Sequence, residues 1–139
     1  AEPPASVKKA RGEWLLKAGL CGTCHHTFGP QHEPIPNMRY AGGQKWDLPE
    51  GKGHVIVPNI TPDKATGIGS YSDDDIKRVL NEGVRKSGEP LVSKGLGLPW
   101  EMPWPFYKGL TPEDKDALIT ALRDLPPVQH LVEPSVVKK

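Results

Sequence analysis

The chain has 139 residues, the length of one typical domain, and its 15 glycines and 16 prolines, about 22 % of the residues, predict a loop-rich globular fold. The net charge of +1 excludes the basic excess of a nucleic-acid-binding protein, and no apolar run reaches the roughly 18 residues of a membrane span. We expect one domain over residues 1–139, with its core at about 6–127 and flexible termini. The opening Ala1-Glu2-Pro3-Pro4 lacks leader character and reads as the exposed start of a mature chain.

The first predicted helix covers about residues 6–20. Apolar residues recur there at the spacing of one helical face: Val7, Ala10, Trp14, Leu15 and Ala18. Gly12 interrupts this helix, at a cost of up to about 1 kcal/mol relative to alanine. We therefore expect another backbone to approach closely at Gly12.

Both cysteines of the chain fall in one motif, Cys21-Gly22-Thr23-Cys24-His25. Two thiols three residues apart on a helical turn can add to the two vinyl groups of one porphyrin. The next side chain, His25, then lies under the ring and can coordinate iron through a ring nitrogen. The motif predicts one covalently attached haem, since it occurs once in the chain.

Two other interpretations of the cysteines remain open. A thioredoxin-like redox pair expects a βαβ pattern, and no strand-like run precedes Cys21. A zinc site needs four ligands, and the histidines at 25, 26, 32, 54 and 130 offer no suitably spaced pair. We favour covalent haem, with thiol redox chemistry and zinc binding as the alternatives.

Between this motif and the next helix lie roughly 45 residues with little periodicity, which is unusual for an ordinary packed domain. Residues 55–57 predict a short strand and residues 59–63 a turn. Such a long irregular segment is reasonable if it folds around a cofactor.

Two later helices carry clear end signals. Ser72 is a predicted N-cap followed by three aspartates, and Gly83 is the predicted end. Thr111 is a second predicted N-cap, with Pro112 at the first helical position and Pro126-Pro127 as the stop. The buried stripe of this last helix is predicted to consist of Ala117, Leu118, Ala121, Leu122 and Leu125.

Haem iron bound by His25 needs either a second protein ligand or an open position, and the candidate ligands are Met38, Met102, His26, His32, His54 and His130. His26 is adjacent to His25 and cannot reach across the ring, so we expect it to be solvated. Prolines 99, 103 and 105 are expected to hold the segment around Met102 extended and stiff. Trp100, Trp104, Phe106 and Tyr107 would exclude water beside it. We predict Met102 as the ligand, although a methionine can also be simple core filler.

These features together resemble a class I cytochrome c domain, and in particular the cytochrome c domains in haem subunits of bacterial membrane-bound alcohol and sugar-acid dehydrogenases. The resemblance covers about residues 12–127. It rests on residues 12–15 (GEWL), 40–43 (YAGG), 57–63 (VPNITPD), 66–69 (TGIG), 102–103 (MP) and 110–114 (LTPED).

The resemblance implies an all-α class I cytochrome c fold with about three main helices and long haem-wrapping loops. Cys21 and Cys24 would be the thioether anchors, His25 the proximal ligand and Met102 the distal ligand. Asn59 and Ile60 would pack at the haem edge, and a carbonyl near Gly29 or Pro30 would accept a hydrogen bond from His25.

The sequence departs from the family pattern in three places. Residues 91–101 form a longer approach to the methionine, which would serve as a partner-specific loop or misplace Met102. Ala121 stands where the family commonly has an aromatic residue, so Trp14 is expected to pack the helix crossing instead. The family's subunits usually carry several such domains, whereas this chain has one motif.

The resulting prediction is a soluble, periplasmic monohaem cytochrome that is not an enzyme. It would carry single electrons from a dehydrogenase to a terminal oxidase or another cytochrome, as a monomer or as part of a complex. Lys17, Lys45 and Lys52 are conceivable docking charges. The alternatives are an open-site haem protein for gas ligands or peroxide, with His32 or His54 on the distal side, and the haem subunit of a larger dehydrogenase.

Overall fold

The computed structural model describes residues 4–94 and 101–138. These residues form five α-helices, two short 3₁₀ helices and three short strands. The α-helices are α1 (Ala5–Ala18), α2 (Cys21–His25), α3 (Asp73–Glu82), α4 (Trp104–Lys108) and α5 (Pro112–Asp124), and the 3₁₀ helices are Pro36–Met38 and Pro49–Gly51. The strands are β1 (Lys45–Asp47), β2 (Gly53–Ile56) and β3 (Val136–Val137). No helix in this described part is both long and apolar enough to cross a membrane.

The crossing of α1 and α5 is built on small residues. A Cβ atom added to Gly12 would overlap the carbonyl oxygen of Ala117 and lie 2.8 Å from the Cβ of Ala121. The predicted close backbone approach at Gly12 is therefore confirmed. The expectation that Trp14 packs this crossing is wrong, because Trp14 is 56 % exposed, with the Arg11 guanidinium 4.8 Å above its ring.

The buried face of α1 also differs from the predicted one. Its buried residues are Gly12, Leu15 and Leu16, whereas Val7 and Trp14 are largely exposed. The physical reason is that α5 approaches α1 most closely at Gly12, so the face that contains Gly12 is the buried one. A prediction based on the spacing of apolar side chains does not include this glycine.

The ends of α3 agree with the sequence prediction. The Ser72 hydroxyl accepts a hydrogen bond from the Asp75 amide at 3.0 Å, and the Asp75 carboxylate accepts one from the Ser72 amide at 2.9 Å. These reciprocal bonds form a capping box. Gly83 ends the helix in the left-handed conformation, with φ of 65°.

The capping box predicts a pH-dependent contribution to stability. The Ser72 amide is the main cause that lowers the pKa of Asp75 below its usual 3.8, with help from the Ser72 hydroxyl, Lys86 and Arg78. Because the folded pKa is depressed, the stabilisation is fully present above the unfolded value and is lost as the pH falls through the lower folded pKa. We expect Asp75→Asn to lower the free energy of unfolding at neutral pH, and the difference from the wild type to shrink between about pH 5 and pH 2.

Urea denaturation across this pH range measures the effect. Asp74→Asn is the matched control, because Asp74 lies in the same first turn but outside the capping box. A difference from the wild type that is equal at both ends of the pH range would contradict the role of Asp75.

The core cluster lies where α1, α3, α4 and α5 meet. Thr111 accepts a hydrogen bond from the Asp114 amide at 3.1 Å, and Pro112 begins α5, both as predicted. The buried residues of the core cluster are Leu15, Leu16, Ile68, Ile76, Leu80, Tyr107, Ala117, Leu118, Ile119, Ala121 and Leu122. Four of the five predicted stripe residues of α5 are therefore buried, and Leu125 packs against the cluster while partly buried.

The long irregular segment contains a sheet that the sequence only partly predicts. The order of strands is β1-β2-β3, and both neighbouring pairs are antiparallel. The strand predicted at 55–57 is observed at Gly53–Ile56. The architecture is thus mainly helical with a small three-stranded sheet, which is less uniform than the expected all-α fold.

The chain after α5, where we expect a flexible terminus beyond residue 127, forms hydrogen bonds with the irregular segment. Val136 and Val137 pair with β2, and the Ser135 hydroxyl accepts a hydrogen bond from the Ile56 amide at 2.8 Å. We call residues 128–137 the tail. The tail packs against the irregular segment, where backbone groups form hydrogen bonds with the polar atoms of the tail.

Candidate haem-binding site

The turn between α1 and α2 presents the two cysteines. Leu20 adopts a left-handed conformation, with φ of 60°, and this residue separates the two helices. In the single turn of α2, Cys21 and Cys24 lie three residues apart, so their side chains face the same side. Both thiols are half-buried, and burial raises the pKa of each above its usual value.

His25 is the best-defined side chain of the motif. It is 8 % exposed, and its Nδ1 lies 2.8 Å from the carbonyl oxygen of Pro58. A carbonyl oxygen only accepts, so Nδ1 carries the proton and Nε2 keeps its lone pair. Burial is the main cause that lowers the pKa of His25 to about 4, against the opposing effect of the Pro58 bond. The imidazole is neutral at pH 7, which is the form that binds iron.

The acceptor for His25 is not the one we expected. Gly29 and Pro30 were predicted to lie near Nδ1, but the Gly29 carbonyl accepts a hydrogen bond from the His32 amide at 3.0 Å instead. Pro58 lies in the V-P-N-I-T-P-D segment, which contributed to the family resemblance. The sequence did not indicate that its carbonyl would accept the hydrogen bond from His25.

Met102 packs half-buried against the core cluster, together with Cys21 and Ile60. The other methionine, Met38, ends a 3₁₀ helix and is not among the residues packed on that cluster. The structure therefore brings Met102 and the first cysteine onto the same core.

The segment after Met102 is helical rather than extended. Helix α4 begins at Trp104, and the Trp104 amide donates to the Met102 carbonyl at 2.8 Å. Pro105 fits because the first turn of a helix needs no amide donor there. Pro99, Trp100 and most of the long approach segment 91–101 lie outside the described residues, so their predicted roles have no counterpart here.

The aromatic residues of α4 do not act alike. Phe106 is 62 % exposed, and therefore provides little cover, whereas Tyr107 is buried. The Tyr107 hydroxyl donates to the Gly19 carbonyl and lies 4.0 Å from the sulfur of Cys21. This contact fixes the turn ahead of the first cysteine, and no sequence signal had indicated it.

Asn59 and Ile60 follow Pro58 directly. Ile60 is half-buried against the core cluster. Asn59 is 4 % exposed, and its amide is fully engaged by the chain itself. Its Oδ1 accepts from the amide and hydroxyl of Thr61 at 2.9 and 2.7 Å, and its Nδ2 donates to the carbonyls of Val128 and His130 at 2.9 and 3.2 Å and to Thr66 at 3.3 Å.

Each of the other four histidines has its own surroundings in the structure. His26 is half-buried rather than solvated, and its Nδ1 accepts a hydrogen bond from the Tyr40 amide at 3.1 Å. His32 stacks on Phe28, His54 lies in β2, and His130 bonds to the carbonyl of Ala41 at 2.9 Å. Across residues 4–94 and 101–138, no three or more His, Cys, Asp or Glu side chains are grouped so that they could hold a metal ion.

The donor set fits haem c. It comprises two half-buried thiols one helical turn apart, a neutral buried imidazole whose Nε2 keeps its lone pair, and a thioether sulfur on the adjoining core.

Comparison with known proteins supports the same conclusion, although no family model matches the chain. The chain is 40 % identical over 108 residues to the gluconate 2-dehydrogenase cytochrome c subunit of Pantoea cypripedii, covering 78 % of this chain and 21 % of that protein. It is 32 % identical over 108 residues to the cytochrome c subunit of the quinone alcohol dehydrogenase of Gluconobacter oxydans, covering 78 % and 19 %. It is 33 % identical over 118 residues to the fructose dehydrogenase cytochrome subunit of Gluconobacter japonicus, covering 83 % and 21 %.

The chain spans about a fifth of the length of the curated relatives that it matches. The matched regions extend over most of this chain. The chain is thus a homologue of the cytochrome c subunits of gluconate, alcohol and fructose dehydrogenases.

Proposed function

We propose that the chain is a monohaem c-type cytochrome of the class I fold, which carries single electrons. The observation that carries the proposal is the state of His25, whose Nδ1 is held by Pro58 at 2.8 Å and whose Nε2 keeps its lone pair beside two cysteines. The single C-x-x-C-H motif supports one haem per chain.

Each residue of the site has a definite task in this proposal. Cys21 and Cys24 would hold haem c through thioether bonds, and His25 and Met102 would supply the iron ligands. When bound, haem c supplies an iron centre that accepts and releases one electron. The chain contributes apolar packing from Ile60 and the core cluster, which excludes water, and it holds the proton of His25 on Nδ1.

The names of the relatives support a dehydrogenase as the electron donor. A terminal oxidase or another cytochrome would be the acceptor, and the periplasm is the compartment in which a dehydrogenase-linked cytochrome c would work. Because those relatives are subunits, a second role as the haem-bearing part of a dehydrogenase is also supported. Co-purification with a dehydrogenase from the native source distinguishes this role from that of a free carrier.

The chain produced with a cytochrome c maturation system tests the proposed function. We expect one haem per chain that stays attached after denaturation, and a reductive titration that consumes one electron. The matched control is the double variant Cys21→Ser with Cys24→Ser, which should lose the covalent haem. A haem-free chain whose two thiols cycle reversibly with a disulfide would contradict the proposal and favour thiol redox chemistry.

A further inference from the structure

The tail makes contacts beside the iron site that the proposed function does not use. Val128 donates its amide to the Thr61 hydroxyl at 3.1 Å, and His130 donates its amide to the Thr66 hydroxyl at 3.0 Å. The carbonyls of both residues accept from the Asn59 amide group. We call residues 128–130 the tail clasp.

The tail clasp grips the loop that carries the acceptor of His25. The Pro58 carbonyl belongs to the peptide unit that joins Pro58 to Asn59, so fixing Asn59 fixes the direction of that carbonyl. Asn59 is 4 % exposed and Thr61 is completely buried. A buried amide left without partners is unfavourable, so the bonds from Asn59 to the tail clasp favour a single loop conformation.

A second loop is held in the same way. His130 Nδ1 donates to the carbonyl of Ala41, which is completely buried. The next residue, Gly42, donates its amide to the carbonyl of His25 at 2.8 Å, and Gly43 donates to the carbonyl of Val57 at 2.8 Å. The tail clasp therefore joins the loop at 40–43 and the loop at 57–61, and both loops contact His25.

The sequence of the tail clasp and its neighbours does not by itself favour packing against the two loops. Pro126 and Pro127 follow the end of α5, and Leu131 beyond the clasp is 80 % exposed. The tail thus gains little apolar burial at this point, and its contacts with the two loops are mainly hydrogen bonds. This pattern indicates that the contacts serve to hold the loops.

We propose that the tail clasp, acting through Asn59, is a positioning device that sets the direction and strength of the hydrogen bond from His25 Nδ1 to the Pro58 carbonyl. A stronger bond at Nδ1 makes Nε2 a better electron donor, which favours the oxidised iron and lowers the reduction potential. Asn59 is the positioning residue, and its effect on the iron rests on the proposed function.

The test compares three variants of the full chain. Asn59→Ala removes the two hydrogen bonds from the Asn59 side chain to the tail clasp, and Thr61→Val removes the Thr61 hydroxyl while keeping the shape of a fully buried side chain. Ser135→Ala is the matched control, because it loosens the tail at Ile56 and leaves the tail clasp intact. The readouts are the exchange rate of the His25 Nδ1 proton, followed by nitrogen-15 NMR, and the reduction potential of the haem-loaded protein.

We expect proton exchange to be roughly tenfold faster in Asn59→Ala, and faster to a smaller degree in Thr61→Val, with no change in Ser135→Ala. The potential should rise in the same order. Unchanged exchange in both Asn59→Ala and Thr61→Val would overturn the proposal. Faster exchange in a chain that takes up no haem would support the tail clasp and contradict the proposed function, so the two failures are distinguishable.

Discussion

Replacing Met102 with leucine is expected to lower the reduction potential by on the order of 0.1 V, a fraction of the roughly 0.8 V range that axial ligands span. A thioether sulfur stabilises the reduced iron, and leucine cannot coordinate. Leucine is chosen because it keeps the apolar volume that Met102 packs half-buried against the core cluster. The decrease in reduction potential then reports on coordination of the iron rather than on packing.

Two spectroscopic measurements accompany the potential. The ferric parent should show the weak near-red band of iron–thioether ligation, and the reduced parent should not respond to carbon monoxide. Met102→Leu should lose the band and bind carbon monoxide.

Met38→Leu is the matched control for this experiment, since Met38 lies outside the residues packed on the core cluster. If Met102→Leu keeps the potential and spectrum of the parent, the assignment of Met102 is wrong. A parent that binds carbon monoxide without any substitution would favour the open-site haem protein that the sequence left as an alternative.

Replacing Gly12 with alanine is expected to lower the free energy of unfolding by about 2 kcal/mol or more. Alanine improves helix propensity by up to about 1 kcal/mol, so propensity alone predicts the opposite sign. The added methyl group, however, overlaps the Ala117 carbonyl oxygen and lies 2.7 Å from the carbonyl carbon. Both of these atoms belong to the backbone, so α1 and α5 must move apart to make room for the methyl group. This separation also weakens the packing of Leu15 and Leu16, the buried residues of α1.

Denaturant unfolding of the haem-loaded protein measures this loss. Gly109→Ala is the matched control, because the nearest atom to an added Cβ there is the Phe106 carbonyl oxygen at an ordinary 3.4 Å, and the glycine has φ of −74°. We expect this control to be nearly neutral. Equal stability of the two variants would contradict the close crossing of α1 and α5.

Some features were predictable because their signals are local. The caps at Ser72 and Thr111 satisfy amides three residues away, so a few neighbouring residues specify both helix ends. The close approach at Gly12 was predictable for a similar reason, since a glycine within a helix is unfavourable without a packing partner.

Other features depend on partners far along the chain. The hydrogen bond that joins the tail to β2 links Ile56 and Ser135, which are 79 residues apart in the sequence. Pro58 and His25 are 33 residues apart. Strands of two to four residues carry too little periodicity to reveal such pairing, because alternation needs several positions to be recognised. The helix α4 was missed for a related reason, since three nearby prolines favour an extended segment unless one of them falls in the first turn of a helix.

The contact between α1 and α5 has a consequence for the order in which the protein can assemble. Arg11 and Asp114, which join the two helices, are 103 residues apart, so the main core contains contacts of high sequence separation. Closing such a long loop is slow relative to forming a single helix. Helix α1 therefore lacks its α5 packing partner until the chain has been synthesised through about residue 124. If the chain carries haem as proposed, the cysteine motif that follows α1 directly would be open to attachment before α1 packs on α5.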